Sequence, residues 1–241
     1  MGAIDDAFHG LREIIASGEL MPSQQFPSEA QLCDRLQVSR GSLREAVRML
    51  GALGVIESRH GSGTYVSALG PENIIGALAL TVDLMPFEGL LDMYEVRRVL
   101  EAHATSQAAS RMTEVAAAKL VAILEALEAT TDDEKASELD AEFHETIVEL
   151  AQNATLSVLL RVFRSRSRSY ALFALPGLAI KQQSDLSHRE ILNALLQRDP
   201  ATAAAAAAGH VVQTENWLRK HRPPARAWSA SVSQLDDRRR S

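Results

Sequence analysis

The sequence predicts a mostly α-helical chain of two domains, the first carrying one short β-hairpin and the second helical throughout. Three observations predict it. Alanine and leucine abound, while 241 residues hold only 13 glycines, 8 prolines and 5% aromatic residues, a balance that favours helix. The apolar spacing is three-and-four up to residue 53, turns to alternation around residues 55–67, and is helical again from Pro71 onward. At 46% hydrophobic residues the chain is too apolar for disorder and long enough for each half to bury its own core.

Ile4, Phe8, Leu11, Ile14 and Ile15 make one apolar stripe that ends near Gly18, a first helix. After a Pro22–Pro27 loop, Ser28 and Gln31 form a capping-box pattern that opens a short helix to about Leu36. Gln37-Val38 is a tight connection, and Ser39 caps a third helix to about Leu53 with Leu43, Val47 and Leu50 facing inward; Gly54 stops it. Val55–Arg59 and Thr64–Ser67 read as strands around the His60-Gly61-Ser62-Gly63 loop. Beyond Pro71 seven helical segments are expected, at about 72–84, 88–110, 113–130, 134–152, 155–174, 185–198 and 200–220. Pro86, Asn153, Pro176-Gly177 and Asp199-Pro200 punctuate them. The expected division is a domain at 1–70, a second at 71–222, and a mobile, basic-ended tail at 223–241.

A net charge of −6 and a pI near 5.7 argue against a surface coated in positive charge for indiscriminate nucleic-acid binding, so any such contact has to come from a local patch. The single cysteine, Cys33, excludes an internal disulfide framework and is read as a packing residue. No apolar run approaches the ~20 residues that span a bilayer. The first residues carry Asp5 and Asp6 in place of a basic segment followed by an apolar one. The expected location is the cytoplasm, with no membrane partner.

Helix, helix, third helix and hairpin over Phe8–Val66 make a winged helix-turn-helix, and double-stranded DNA is the expected partner. Arg40, Arg44 and Arg48 at i, i+4, i+8 share one face of the third helix, whose start is narrow because Ser39, Gly41 and Ser42 are small. A guanidinium fork can bond a guanine edge or a phosphate in two places, and the helix amino terminus favours phosphate. Arg59, His60 and Gly61 sit at the wing tip, within reach of the backbone or minor groove. The glycines around Ser62 do not make a phosphate cradle or a nucleophile turn: no lysine follows, and a strand follows where such loops need a helix.

Pro27-Ser28-Glu29-Ala30-Gln31-Leu32, the run Val38–Val47, Gly54-Val55-Ile56-Glu57 and the run Gly61–Val66 resemble the amino-terminal domain of the GntR family of bacterial transcription regulators across the whole first domain. The resemblance implies that Arg40 and Arg44 are the main operator-reading residues, with His60 and Gly61 at the wing. One departure is Ala30, where the family often places an arginine.

The second domain hides polar groups on inward faces. On the helix 134–152 Leu139, Phe143, Ile147 and Leu150 form the core stripe, Glu138, Glu142, Glu145 and Glu149 face away, and Asp140 and His144 fall on the inward edge. His188 joins the stripe of Ile191, Leu192 and Leu195, and His210 aligns with Ala206, Thr214 and Trp217. Four such groups buried unpaired cost several kcal/mol, and one divalent metal satisfies all of them. Zinc is the first choice for imidazole nitrogens, with nickel and manganese as alternatives. Taken singly, each histidine reads as a core imidazole bonded to a carbonyl, and Asp140 with His144 as a surface ion pair. Arg97 lies in the stripe of Leu90, Met93, Tyr94 and Leu100, where it needs an acidic partner. Glu101 at i+4 is one such partner; the carboxylate of a small organic acid, held also by the metal's open position, is the other.

The run Asp92–Glu101, Asp140-Ala141-Glu142-Phe143-His144, Asn153, the run Ser187–Leu192 and His210 resemble the FadR-type subgroup of GntR regulators with the helical, carboxylate-sensing FCD domain. That resemblance implies a seven-helix bundle, an aspartate and three histidines on one metal, a homodimer and a palindromic operator. The expected mechanism is a repressor whose operator affinity changes when a carboxylate metabolite binds. Two rivals stand beside it. One is a metal-dependent hydrolytic enzyme built on Asp140, His144, His188 and His210, which lacks an inward general base; the other is a bundle with a purely structural metal.

Overall fold

The computed structural model describes residues 2–168, 170 and 180–224. The chain divides into two compact units with the boundary between Thr81 and Val82.

The first unit follows the capping chemistry closely. α1 (Ala3–Ala16), α2 (Glu29–Leu36) and α3 (Arg40–Ala52) precede β1 (Ile56–Arg59) and β2 (Gly63–Val66). At the start of α2 the Ser28 amide donates to Gln31 Oε1 at 2.9 Å and the Gln31 amide donates back to Ser28 Oγ, two otherwise orphaned donors satisfied reciprocally. The left-handed backbone of Gln37 (φ 54°) turns the chain sharply into α3, where Ser39 Oγ accepts from the Ser42 amide at 3.1 Å. Leu11, Ile14, Leu43, Ala46, Leu50, Ile56 and Val66 meet in one core. Ile4, expected on the inward stripe, is 40% exposed, and Ala7 takes the buried place. Gly54 is required twice over: its φ is +75°, and a Cβ there would stand 1.7 Å from the Asn73 carbonyl oxygen.

The strands pair antiparallel in the register Ile56↔Val66 to Arg59↔Gly63. The Pro22–Pro27 segment is more than a loop. The Phe26 amide donates to the Thr64 carbonyl at 2.8 Å and the Val66 amide to the Gln24 carbonyl at 2.9 Å, with Gln25 bridged to Tyr65, so the segment lies along the free edge of β2. The helix expected at 72–84 is two short ones, α4 (Pro71–Ile75) and α5 (Leu78–Asp83). The break falls at Gly76, where the Glu72 carbonyl oxygen comes within 2.4 Å of the place a Cβ would occupy.

The second unit is all helical: α6 (Phe87–Ser110), α7 (Glu114–Ala129), α8 (Asp133–Leu150), α9 (Ala154–Arg168), α10 (Ile180–Leu196) and α11 (Pro200–His221). α11 packs along α6, with α8 and α9 against α6 and α10 against α7 and α11. Small buried residues, Ala104 and Ala108 on α6 and Ala203 and Ala207 on α11, are what lets helices approach closely. Leu120, Leu124, Phe143, Ile147, Ile191 and Leu195 fill the main core. α10 starts earlier than residue 185 because Lys181 and Asp185, 2.8 Å apart at i, i+4, support a first turn that has no apolar stripe. The expected end of the helix 155–174, the Pro176-Gly177 break and residues 225–241 of the expected tail lie outside the described residues. Among the described residues no helix is long and apolar enough to cross a membrane.

Candidate metal centre and nucleic-acid interface

Three helices of the second unit bring together the four residues singled out as metal ligands. α8 presents Asp140 and His144 one turn apart, α10 presents His188 and α11 presents His210; one ligating atom from each lies within 4.8 Å of the others. His144 Nε2 is 3.1 Å from His188 Nε2, which is 3.2 Å from Asp140 Oδ1; Asp140 Oδ1 and His144 Nε2 are 3.8 Å apart. The His210 ring sits 4.5 Å from that of His188 and 4.9 Å from that of His144. Tetrahedral ligands about 2.0–2.1 Å from a zinc ion stand roughly 3.3 Å from each other, so the set fits a divalent cation. His188 faces the cluster through Nε2, while its Nδ1 and that of His210 are buried without a hydrogen-bond partner.

Electrostatics leave Asp140, His144 and His210 in their ligating protonation states. Burial, reinforced by the nearby Arg164, His210 and His188 charges, pushes His144 well below the usual imidazole range. Burial and then His188 lower His210 to about 3, against the pull of Asp140 and Glu101. Burial would raise Asp140, but the His188 hydrogen bond and the charges of His188, Arg164 and His210 outweigh it and hold the carboxyl at about 2. Neutral imidazoles and an ionised carboxylate are what a metal needs. Glu142 and Glu145, on the same helix, are exposed.

Arg97 is buried on α6 and has the partner its i+4 spacing suggested: Nε donates to Glu101 Oε1 at 2.9 Å, while Nη1 donates to Ser167 Oγ at 2.7 Å and the guanidinium lies over the Tyr94 ring. Sequence reasoning missed a second cation. Arg164, on α9, grips both oxygens of Glu101. Its signal was present, because it continues the inward series Leu156, Leu160 at four-residue spacing. Burial would raise Glu101, yet Arg164 and Arg97 hold it at about 2. Two guanidiniums share this one carboxylate, and the ionised Asp140 in the same cavity is the second counter-charge. A cavity of about 140 Å³ joins this cluster to three of the four candidate ligands, lined by Tyr94, Arg97, Asp140, His144, Arg164, Ser167, His210 and Trp217 among others.

In the first unit Arg40, Arg44 and Arg48 are exposed along α3. Arg44 donates through Nε and Nη2 to the two oxygens of Glu29 at 2.6 and 3.1 Å, and Arg48 pairs with Glu45 at 2.5 Å. Arg40 opens the helix, and its charge also helps hold Glu29 ionised after that of Arg44. The Ser42 hydroxyl is shared with the Ser39 cap at 2.9 Å. Arg59 stacks over Tyr65 with its Cζ 4.3 Å from the ring centroid, and His60 and Gly61 occupy the exposed wing tip. Gln25, unremarked in the sequence, steadies that tip by donating from Nε2 to the Ser62 carbonyl at 2.7 Å.

Residues 3–66 match the description "Bacterial regulatory proteins, gntR family", and residues 92–213 match the FCD domain. The chain belongs to the GntR family, in its FCD-containing, FadR-like subgroup. This GntR regulator is 31% identical over 217 residues to the HTH-type transcriptional regulator LutR of Bacillus subtilis, covering 85% of this chain and 96% of LutR. It is 29% identical over 211 residues to the Glc operon transcriptional activator of Escherichia coli K12, covering 83% of each chain. Among solved structures, Streptococcus agalactiae GntR superposes with a TM-score of 0.59 at 26% identity, over 89% of this chain and 99% of that one. The chain is thus a DNA-binding transcription regulator of the GntR/FCD type, and not an enzyme.

Proposed function

We propose that this regulator is a repressor whose operator affinity is set by a small carboxylate metabolite bound in the second unit. The observation that carries the reading is one cavity whose lining joins Asp140, His144 and His210 to the buried Arg97 and Arg164, which share the Glu101 carboxylate. Asp140, His144, His188 and His210 would hold a divalent cation, zinc first by the chemistry of the donors, with nickel and manganese as alternatives. When bound, that cation supplies a Lewis-acidic positive charge. The chain's own part is to orient the acid: Arg97 and Arg164 offer guanidinium donors, and Tyr94 and Ser167 fix the Arg97 fork.

In this reading residues 1–70 read DNA, 71–222 bind metal and effector and dimerise, and a cytoplasmic homodimer sets two copies of α3 into successive major grooves of a palindromic operator. Arg40, Ser42, Arg44 and Arg48 contact the groove, and Arg59, His60 and Gly61 the flanking backbone or minor groove. Arg44→Ala should weaken operator binding roughly 10–100-fold in a mobility-shift titration at fixed salt. The effector arm is a thermal-shift screen of small organic acids on protein of measured metal content. Stabilisation by an acid that disappears in Arg97→Met supports sensing. Metal-dependent stability with no acid response in the unaltered protein would leave only a structural metal. The Glc operon relative is named an activator, so a promoter fusion with and without the stabilising acid reads the sign; transcription that falls on adding the acid would overturn effector-relieved repression.

A further inference from the structure

Three buried side-chain nitrogens lack a hydrogen-bond partner among the described residues: Nδ1 of His188, Nδ1 of His210 and Nε1 of Trp217. Buried donors are ordinarily paired. The two imidazole atoms belong to the candidate metal cluster. The third belongs to a residue that lines the same cavity as His144 and His210. Trp217 follows His210 by seven residues on α11, two turns along one face and about 10.5 Å of axial rise. The indole therefore marks a place several ångströms from the atoms that would meet a carboxylate at the cluster.

The surroundings of Trp217 say what belongs there. Ile180, Gln183, Gln213 and Trp217 line both the cavity and an adjoining depression that opens toward solvent. Gln213 Oε1 accepts from Ser187 Oγ at 2.6 Å, and the two N–H donors of the amide remain to be offered. Lys220 and His221 also line the depression, and no carboxylate does among its described residues. Amide N–H donors and a cation gather at this end, with no carboxylate among the described lining residues to neutralise it.

We infer that the effector is an elongated acid with a second oxygen acceptor at the end remote from the metal cluster, and that Trp217 Nε1 donates to that acceptor. The inference rests on the carboxylate-sensing reading of this cavity and names which acids it selects. A phenyl ring at 217 would fill the same apolar space beside Tyr94 and Leu218; only the N–H distinguishes the indole. A site with a donor aimed at a substrate oxygen rejects the analogue that lacks it, because the donor is then left buried and unpaired.

The test uses the full chain loaded with zinc and acids matched in carbon number: butyrate against 4-hydroxybutyrate and succinate, and hexanoate against adipate. Calorimetric titration should show the acids with a distal oxygen binding roughly tenfold tighter than their plain counterparts. In Trp217→Phe that preference should fall to about threefold or less, with zinc stoichiometry unchanged. A readout without substitution accompanies it. The chain has two tryptophans, hence two indole N–H resonances, and one should shift with succinate or 4-hydroxybutyrate and stay in place with butyrate. Which acid moves it further tells a second carboxylate from a hydroxyl. A preference that survives Trp217→Phe, or indole resonances blind to the distal oxygen, would overturn the role of Trp217 while leaving acid sensing intact. If no acid of either class binds, the sensing reading and this inference fall together.

Discussion

Glu101 sits where two opposed demands meet. It is 4% exposed, its oxygens are shared by Arg97 and Arg164, and each guanidinium is itself largely buried. Removing the one carboxylate between two buried cations costs far more than the pair contributes, about 3–5 kcal/mol, because the remaining charges are left uncompensated. Glu101→Gln should therefore lower stability by that order in urea unfolding; a loss under about 1 kcal/mol would show that water or anions already screen the two arginines. The sequence carried half of this arrangement. Arg97 on an apolar stripe was visible, and so was Glu101 at i+4. Arg164 was not read, although the same reasoning applied to Leu156, Leu160 and Arg164 would have placed it inward, since one helical periodicity governs both. The four candidate ligands were legible for that same reason. That they converge on one point was not, because periodicity gives a face and no depth along the helix axis.

Elements that depend on local chemistry were legible; those that depend on tertiary approach were not. The caps at Ser28 and Ser39 and the stop at Gly54 follow from side chains a few residues apart, and they stand where the pattern puts them. The Gln24–Phe26 segment has no strand pattern of its own. It becomes an edge of the hairpin only because Thr64 and Val66 offer backbone partners. That pairing carries a function for the wing. Gln25 Nε2 holds the Ser62 carbonyl, and Gly63 lets it in: a Cβ at 63 would stand 2.6 Å from that nitrogen. Gln25→Ala removes the tether while leaving the flanking backbone pairs, so α3 keeps its place and the wing tip loosens. The expected result is a fewfold weaker operator affinity with unchanged thermal stability to within about 0.5–1.5 kcal/mol, the net worth of one hydrogen bond. Footprinting should show the loss at the operator flanks that His60 and Arg59 are proposed to touch, with the major-groove pattern retained.

At the scale of the molecule the acidic net charge and the buried cluster make different contributions to how stability responds to pH. Between pH 7 and 5 the shifts that matter belong to His144 and His210, whose folded values lie below the ordinary 6.5, that of His210 at about 3. The sign follows from which state takes protons first. As pH falls below about 6.5 the unfolded chain protonates these imidazoles while the folded one resists, so their contribution is full above 6.5 and is lost as pH falls toward the folded values. Asp140, held at about 2 against an ordinary 3.8, works in the same direction but only below pH 4. One imidazole protonated in the unfolded chain alone is worth about 1.4 kcal/mol per pH unit. Metal-free protein should therefore lose about 2 kcal/mol from His210 alone between pH 6.5 and 5, a fall of roughly 4–8 °C in midpoint for a unit of this size. Both tryptophans, Trp217 and Trp228, lie beyond residue 81, so indole fluorescence follows the second unit alone. Zinc should raise that midpoint at pH 7, since it binds the folded cluster. A metal-free midpoint that stays level from pH 7 to 5 would mean that His144 and His210 are not held neutral by burial in the folded chain.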